Sequence, residues 1–301
     1  MGQGLSNRGE SHASYSAMVQ SGIRYLGSLE PDQKIRSDDK YGRYFLEGYY
    51  RILALRWLKR FTIRAIESIW PGGFGYSIAR AKVGDAEFRA FRGRQIVNLG
   101  AGFCTRSLRL QRDPPQRLIE IDRLETLEKK RKILNKLAPS PDALEFMTML
   151  PCDFVTQSVS EVLLTSDVYA KDEVTLFLWE GVCMYLNERA VKEMLAFVRE
   201  NSARGSTIVF DYCDREYIES EGKKGGFYGG DKLFKTCKAK NEIFTFGIPQ
   251  NSLQSWLGEQ GYEVIKHWKR SEIEQEWLRK DDGTIVYRAD GPLAIVVART
   301  I

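Results

Sequence analysis

From residue 95 onward, short apolar runs alternate with amphipathic stretches. The runs at 95–99, 117–121, 144–149, 174–179, 207–211, 262–266 and 293–298 are of strand length and rich in Ile, Val, Leu and Phe. Between them, apolar positions recur at helical spacing over 125–137, 158–164, 188–201, 251–260 and 271–280. Alternation of this kind predicts parallel strands joined by right-handed crossover helices, hence a doubly wound α/β sheet of seven, mostly parallel strands. Ligands bind such sheets beyond the carboxyl ends of the strands. Gly100, Asp122, Asp153, Glu180 and Asp211 all fall at or just past those ends, which gathers them at one cleft.

Upstream, Tyr15, Met18, Val19, Ile23 and Leu26 mark a helix over 14–29. A polar stretch at 31–40 interrupts it, and a longer helical pattern over 41–70 ends at Pro71-Gly-Gly73. That second stretch carries Arg51, Arg56, Lys59, Arg60 and Arg64 among many apolar residues. A basic amphipathic helix can lie on a membrane surface. The preferred reading is a helix packed on the domain with its arginine and lysine heads in water. The expected organisation is a disordered tail at 1–11, an N-terminal helical cap at 12–90 and a cofactor-binding domain at 91–301. Within the last, the glycine- and lysine-rich segment 216–240 reads as a lid-like insertion.

Composition narrows the classes. A chain of 301 residues with 43% hydrophobic and 28% charged residues is that of a globular protein. The net charge of +5 is dispersed, without the concentrated basic stripe of a nucleic-acid binder, so no nucleic-acid partner is expected. Cys104, Cys152, Cys183, Cys213 and Cys237 form no C-x-x-C pair, which argues against a disulfide framework and a structural metal, and for a reducing, cytoplasmic setting. No apolar run reaches the ~18 residues of a membrane span, and the polar start is no secretory signal. Met1-Gly-Gln-Gly-Leu-Ser6 matches the short myristoylation pattern.

The strongest chemical signal is Gln95-Ile-Val-Asn-Leu-Gly-Ala-Gly-Phe-Cys-Thr-Arg106 followed by Leu118-Ile-Glu-Ile-Asp122. It reads as a strand, a glycine turn, a helix start and a second strand ending in an acid. Gly100 and Gly102 let a ligand approach the backbone, and Asp122 can hold a ribose diol. A dinucleotide fingerprint wants a third glycine, but Thr105 stands there, and no P-loop run exists. A turn without provision for pyrophosphate suits S-adenosylmethionine. Asp153 is either an acceptor for the adenine amino group or a turn former, and Phe154 either lies against the adenine or belongs to the core. Glu180 ends an apolar strand, where a carboxylate needs a partner; the sulfonium and ammonium of the cofactor would supply one. Tyr185 either orients a substrate oxygen or is a core aromatic. Arg80 is placed to fork onto the cofactor carboxylate, although spacing alone does not assign it.

The runs Val97–Arg106, Glu120-Ile-Asp122, Cys152-Asp153-Phe154 and Trp179-Glu-Gly-Val-Cys-Met-Tyr-Leu186 resemble the leucine carboxyl methyltransferase family. The likeness is closer to its prokaryotic branch of S-adenosylmethionine-dependent O-methyltransferases. Gly75-Tyr-Ser-Ile-Ala-Arg80, and Phe246-Gly-Ile248 through Gly261-Tyr262, extend it over about residues 12–301. The resemblance implies a class I methyltransferase-like, Rossmann-like fold. It implies Arg80 on the cofactor carboxylate, Gly100 along the methionine portion, Asp122 on the ribose, Asp153 and Phe154 at the adenine, Glu180 near the methionine end and Tyr185 facing the substrate. Three departures stand out. The phosphatase-methylating members of that family carry an N-terminal lysine on the cofactor carboxylate, but no lysine lies around Met18–Gln20, so Arg24 or nothing takes that part; Cys104 stands where many relatives have Asp, and Lys82 where many have Arg. A phosphatase-tail substrate is therefore not implied.

The expected activity is methyl transfer to a carboxylate of a small molecule or peptide. A carboxylate is ionised at neutral pH and needs no general base, and the chain holds only His12 and His267. The rival is a non-catalytic cofactor-binding or regulatory protein on the same fold. A nicotinamide oxidoreductase is disfavoured by Thr105.

Overall fold

The computed structural model describes residues 6–110, 116–154, 156–223, 226–239 and 242–301. The seven apolar runs become β1 (Gln95–Leu99), β2 (Arg117–Asp122), β3 (Met147–Pro151), β4 (Thr175–Trp179), β5 (Thr207–Asp214), β7 (Tyr262–Trp268) and β8 (Leu293–Thr300), joined by a two-residue β6 (Gly247–Ile248). The sheet order is β3-β2-β1-β4-β5-β8-β7, with β6 beside the end of β5. Strands β1 to β5 pair in parallel. β8 runs antiparallel between β5 and β7. This is the expected doubly wound, mostly parallel α/β sheet, with β6 as an addition too short to leave a periodic signal.

Twelve helices are described: α1 (Ser6–Ser28), α2 (Tyr50–Leu53), α3 (Lys59–Ile69), α4 (Gly73–Ala90), α5 (Arg106–Arg109), α6 (Leu124–Leu137), α7 (Val159–Leu164), α8 (Glu188–Glu200), α9 (Arg215–Glu219), α10 (Gly230–Ala239), α11 (Leu253–Glu259) and α12 (Arg270–Trp277). Both faces of the sheet are covered, which explains why β1 and β4 are buried at every position. Alternate residues serve opposite layers. Val97, Leu99, Phe177 and Trp179 pack with Val159, Leu163, Val191, Leu195 and Leu257 of α7, α8 and α11. Ile96, Leu176 and Leu178 pack with Tyr76, Ala79 and Val83 of α4 and Ile273 of α12.

Two sequence expectations are revised. The helical pattern over 41–70 is broken into a 3-10 turn at Lys40–Phe45, α2, a second 3-10 turn at Arg56–Leu58 and α3. Leu46 is extended at ψ 143° and Gly48 has φ 53°, and neither residue disturbs the apolar spacing that suggested one helix. The lid-like segment 216–240 holds α9 and α10 rather than irregular chain, with Leu233 of α10 buried among the apolar residues that include Tyr217.

α1 begins at Ser6, so positions 6–11 of the expected tail are helical, and residues 1–5, with the myristoylation pattern's glycine, lie outside the described residues. α4, placed with the cap by sequence, shares its core with the sheet. Among the described residues no helix is long and apolar enough to cross a membrane.

Candidate functional site

The chain leaves β1 at Leu99 and turns back through Gly100 at φ 73° and Gly102 at φ 44°. Both angles lie in the left-handed region that disfavours a Cβ. A side chain at Gly100 would also meet Val182 Cγ2 at 2.5 Å. The N–H groups of Gly100 and Ala101 both donate to the carbonyl of Ile121 at 2.9 Å, and that of Cys104 donates to Ala101 at 2.9 Å. Gly102 donates to Asp122 Oδ2 at 2.7 Å. These turn amides are therefore committed within the protein, whereas a pyrophosphate-binding turn must leave such donors for its ligand. Thr105, at the third glycine position, is buried and donates to Asp39 Oδ1 at 2.6 Å.

Asp122 sits at the end of β2 opposite this turn, its second oxygen accepting from Arg123 N at 2.8 Å. Burial raises its pKa, opposed by the Gly102 and Arg123 amides. The Thr126 side chain is a third hydrogen-bond partner, so of the carboxylate's roughly four acceptor positions one is left for a diol. Glu120, two residues back on the same strand face, is fully buried with Lys130 Nζ 2.6 Å from its Oε2, so it serves the interior. Asp153 and Phe154 follow β3 and are half-buried. Arg123 Nη2 lies 3.6 Å from Asp153. Phe154 comes within 3.7 Å of the position of a Gly100 Cβ, so its ring borders the turn.

At the next strands the acids are locked into ion pairs. Glu180 follows β4, and both its oxygens accept from the Arg106 guanidinium, from Nη1 and from Nη2, the latter at 3.2 Å. Arg106 Nε also donates to Asp85 Oδ1 at 2.8 Å, and Arg109 forks onto the same carboxylate at 2.7 and 3.1 Å. Burial alone would raise Asp85, but Arg109 and Arg106 outweigh it and hold its pKa at about 2. The β4–β5 register pairs Trp179 with Phe210, which brings Glu180 level with Asp211.

Asp211 is fully buried and accepts from Tyr76 Oη at 2.8 Å, Arg80 Nη1 at 2.8 Å and Gly181 N at 2.5 Å. Arg80 thus reaches the cleft from α4, with Nη2 on Gln20 at 3.2 Å. Burial would lower its pKa, but the Asp211 carboxylate raises it further. Tyr185 closes the 3-10 turn Cys183–Tyr185, 44% exposed, with its ring edge-on to Phe244 at 5.3 Å.

The sequence reading missed the roof over these groups. Ala17 of α1 stands 3.3 Å from where a Gly102 Cβ would be. Arg24 donates to Phe103 O at 2.7 Å and to Asp39 at 2.8 Å, which ties α1 to the turn rather than offering a free cation. Ser16 donates to Glu242 at 2.7 Å. Only strand-end position hinted at Asp211, and nothing in the spacing hinted at the Arg106–Glu180 pair, 74 residues apart. A hollow of about 460 Å³ elsewhere, beside α6, is lined by Arg51, Lys129, Lys132, Glu125 and Glu128 and by none of the strand-end residues.

The model of the family described as "Leucine carboxyl methyltransferase" matches residues 18–199. A Frankia alni protein named "Putative S-adenosyl-L-methionine-dependent methyltransferase" is 30% identical over 204 residues, covering 66% of this chain and 65% of that protein. A Bacillus subtilis protein of the same description is 26% identical over 195 residues, covering 63% and 61%. The chain thus spans just under two thirds of the length of these relatives. Among solved structures, a DUF574 family protein from Streptomyces avermitilis aligns with TM-score 0.53 at 12% identity, covering 81% of this chain and 91% of that one, a likeness of fold.

Proposed function

The chain belongs to the leucine carboxyl methyltransferase family, and we propose that it is an S-adenosylmethionine-dependent methyltransferase. The observation that carries this reading is the committed glycine turn. Its amides are bonded to Ile121, Asp122 and Ala101, leaving Asp122 to face a ribose and no nest for phosphate. S-adenosylmethionine is the common adenosine cofactor with that need. In this proposal Asp122 holds the ribose diol, Gly100 and Gly102 admit the cofactor to the backbone, and Asp153 and Phe154 meet the adenine. Arg80, presented by Asp211 and Tyr76, takes the cofactor carboxylate with donors left over from those bonds. Glu180 lies toward the methionine end, its partner being Arg106 rather than the cofactor's cations that the sequence suggested.

When bound, the cofactor supplies an activated methyl group on sulfur. The protein's work is to align an acceptor oxygen with that methyl and exclude water. Tyr185 is the candidate to orient the acceptor oxygen. Its phenol, protonated at neutral pH as an ordinary tyrosine is, can donate a hydrogen bond. His267 bonds Tyr212 on β5 at 3.0 Å rather than standing ready as a general base. That favours a carboxylate acceptor on a small molecule or peptide.

Thermal-shift assays with S-adenosylmethionine, S-adenosylhomocysteine and NAD side by side test the cofactor class. Stabilisation by the first two alone is expected; stabilisation by NAD alone would overturn the assignment. Asp122→Ala and Arg80→Ala should each raise the cofactor dissociation constant at least tenfold in calorimetry, and unchanged constants would return both residues to a structural role. An acceptor panel in which phenols are methylated and carboxylic acids are not would reject the carboxylate preference.

A further inference from the structure

We propose that the outer face of α3, with the preceding turn and α2, docks on an anionic lipid surface. Seven of the fifteen exposed large apolar side chains among the described residues fall between Tyr44 and Ile69, whereas the other eight are dispersed along the chain. Trp57 is 76% exposed, Phe61 62%, Ile52 56% and Leu55 42%. Trp57, Phe61 and Ala65 follow one another at four-residue spacing, and Arg60 and Arg64 form the adjacent row, all exposed. Thr62 Oγ1 donates to Leu53 O at 2.6 Å, which joins α2 to α3 and makes the two rows and the α2 residues one surface.

The opposite face of α3 already has its partners. Ile63 is buried with Ile23 and Leu26 of α1 and Phe74 and Ile78 of α4. The nearby acids are turned inward or engaged: Glu67 accepts from Gly72 N at 2.7 Å and Phe74 N at 3.2 Å, Glu30 pairs with Lys59, and Glu47 pairs with Lys129 at 2.9 Å. Arg56, Arg60 and Arg64 make no salt bridge among the described residues. The surface therefore presents exposed arginines interleaved with tryptophan and other apolar side chains, without a counter-charge of its own.

Charge decides between occupants. A second copy meeting this face about a twofold axis would set arginine against arginine. An anionic bilayer offers phosphate to Arg56, Arg60 and Arg64 and an interfacial layer to Trp57 and Phe61, the pattern of helices that lie in a membrane surface. The sequence alone favoured a helix with its cationic heads in water; exposure of the aromatic residues beside those heads changes that reading. The inference does not depend on methyl transfer.

Flotation of the full chain with vesicles tests it. Binding is expected to 3:1 phosphatidylcholine–phosphatidylglycerol vesicles, weakened by salt, with little binding to phosphatidylcholine alone. The triple variant Arg56→Glu/Arg60→Glu/Arg64→Glu should partition at least about a hundredfold less, since losing three basic side chains costs about fivefold each near an anionic surface and the new carboxylates add repulsion. Trp57→Ser/Phe61→Ser should also lose binding while keeping the parent's melting behaviour and cofactor-induced shift, because both side chains are exposed. Absence of binding to the anionic vesicles at low salt would overturn the proposal. So would variants that bind like the parent, or a dimer in sedimentation velocity that Trp57→Ser/Phe61→Ser dissociates.

Discussion

Glu180→Gln and Asp85→Asn separate the two tasks of the buried charge cluster. Glu180 accepts two bonds from Arg106, and its side chain is 16% exposed. Gln keeps one acceptor oxygen, loses the charge and turns an amide donor toward the guanidinium. With charge-assisted bonds worth about 1.5–3 kcal/mol, and Arg106 still held by Asp85 and by Ala81 O, the expected loss of stability is about 2–4 kcal/mol. Asp85 accepts three bonds from two arginines whose side chains are only 5% and 6% exposed. Its neutralisation leaves Arg106 with Glu180 and Arg109 with only the more distant Asp39 at 3.9 Å, so Asp85→Asn should reach or exceed about 3–5 kcal/mol. Urea titration gives both values. Calorimetry with S-adenosylmethionine should then find binding weakened roughly tenfold, about 1.4 kcal/mol, in Glu180→Gln and little changed in folded Asp85→Asn. A Glu180→Gln penalty equal to or above that of Asp85→Asn would refute the network argument. Unaltered cofactor affinity in Glu180→Gln would refute its place at the methionine end.

Gly100→Ala should destabilise by about 2–5 kcal/mol, combining the left-handed backbone and the clash with Val182, while Gly102→Ala, facing only Ala17 at 3.3 Å, should cost less in the same titration; the reverse order would count against the turn geometry. Burial lowers the His267 imidazole to about pH 4 from its usual 6.5, so the unfolded chain takes the proton first. Stability should hold above pH 6.5 and fall as pH drops toward 4. His267→Gln should flatten that limb of the thermal-midpoint profile, and an unchanged profile would acquit His267. Tyr185→Phe should leave cofactor affinity intact and lower turnover or raise the acceptor KM; unchanged kinetics would make Tyr185 a wall residue.

The sheet was legible because parallel strands covered on both faces are mostly apolar, and 95–99 and 174–179 are, with Gln95, Asn98 and Thr175 as the polar exceptions. Gly100 and Asp122 were legible for a related reason: a strand end is where a doubly wound sheet opens to a ligand. The cap was misread because Leu46 and Gly48 break the backbone without breaking the apolar spacing. α10 was hidden by the glycines and lysines around a stripe of only Leu233, Phe234 and Cys237. The Arg106–Glu180 pair and the α1 roof depend on contacts between distant segments, which no local pattern encodes.

The cap also has a timetable. Ser16 closes on Glu242, Glu30 takes the Tyr287 hydroxyl at 2.5 Å, and the Trp70 indole donates to Asp290. β8, which carries residues 293–300, slots between β5 and β7. A nascent chain can therefore pack α1, α3 and α4 on one another early, but it makes these three ties only when almost the last strand emerges. Contacts of such long sequence separation form slowly, and during that wait the β5 edge is open to other chains. Translation stalled between residues 242 and 290 would thus yield the species most in need of a chaperone.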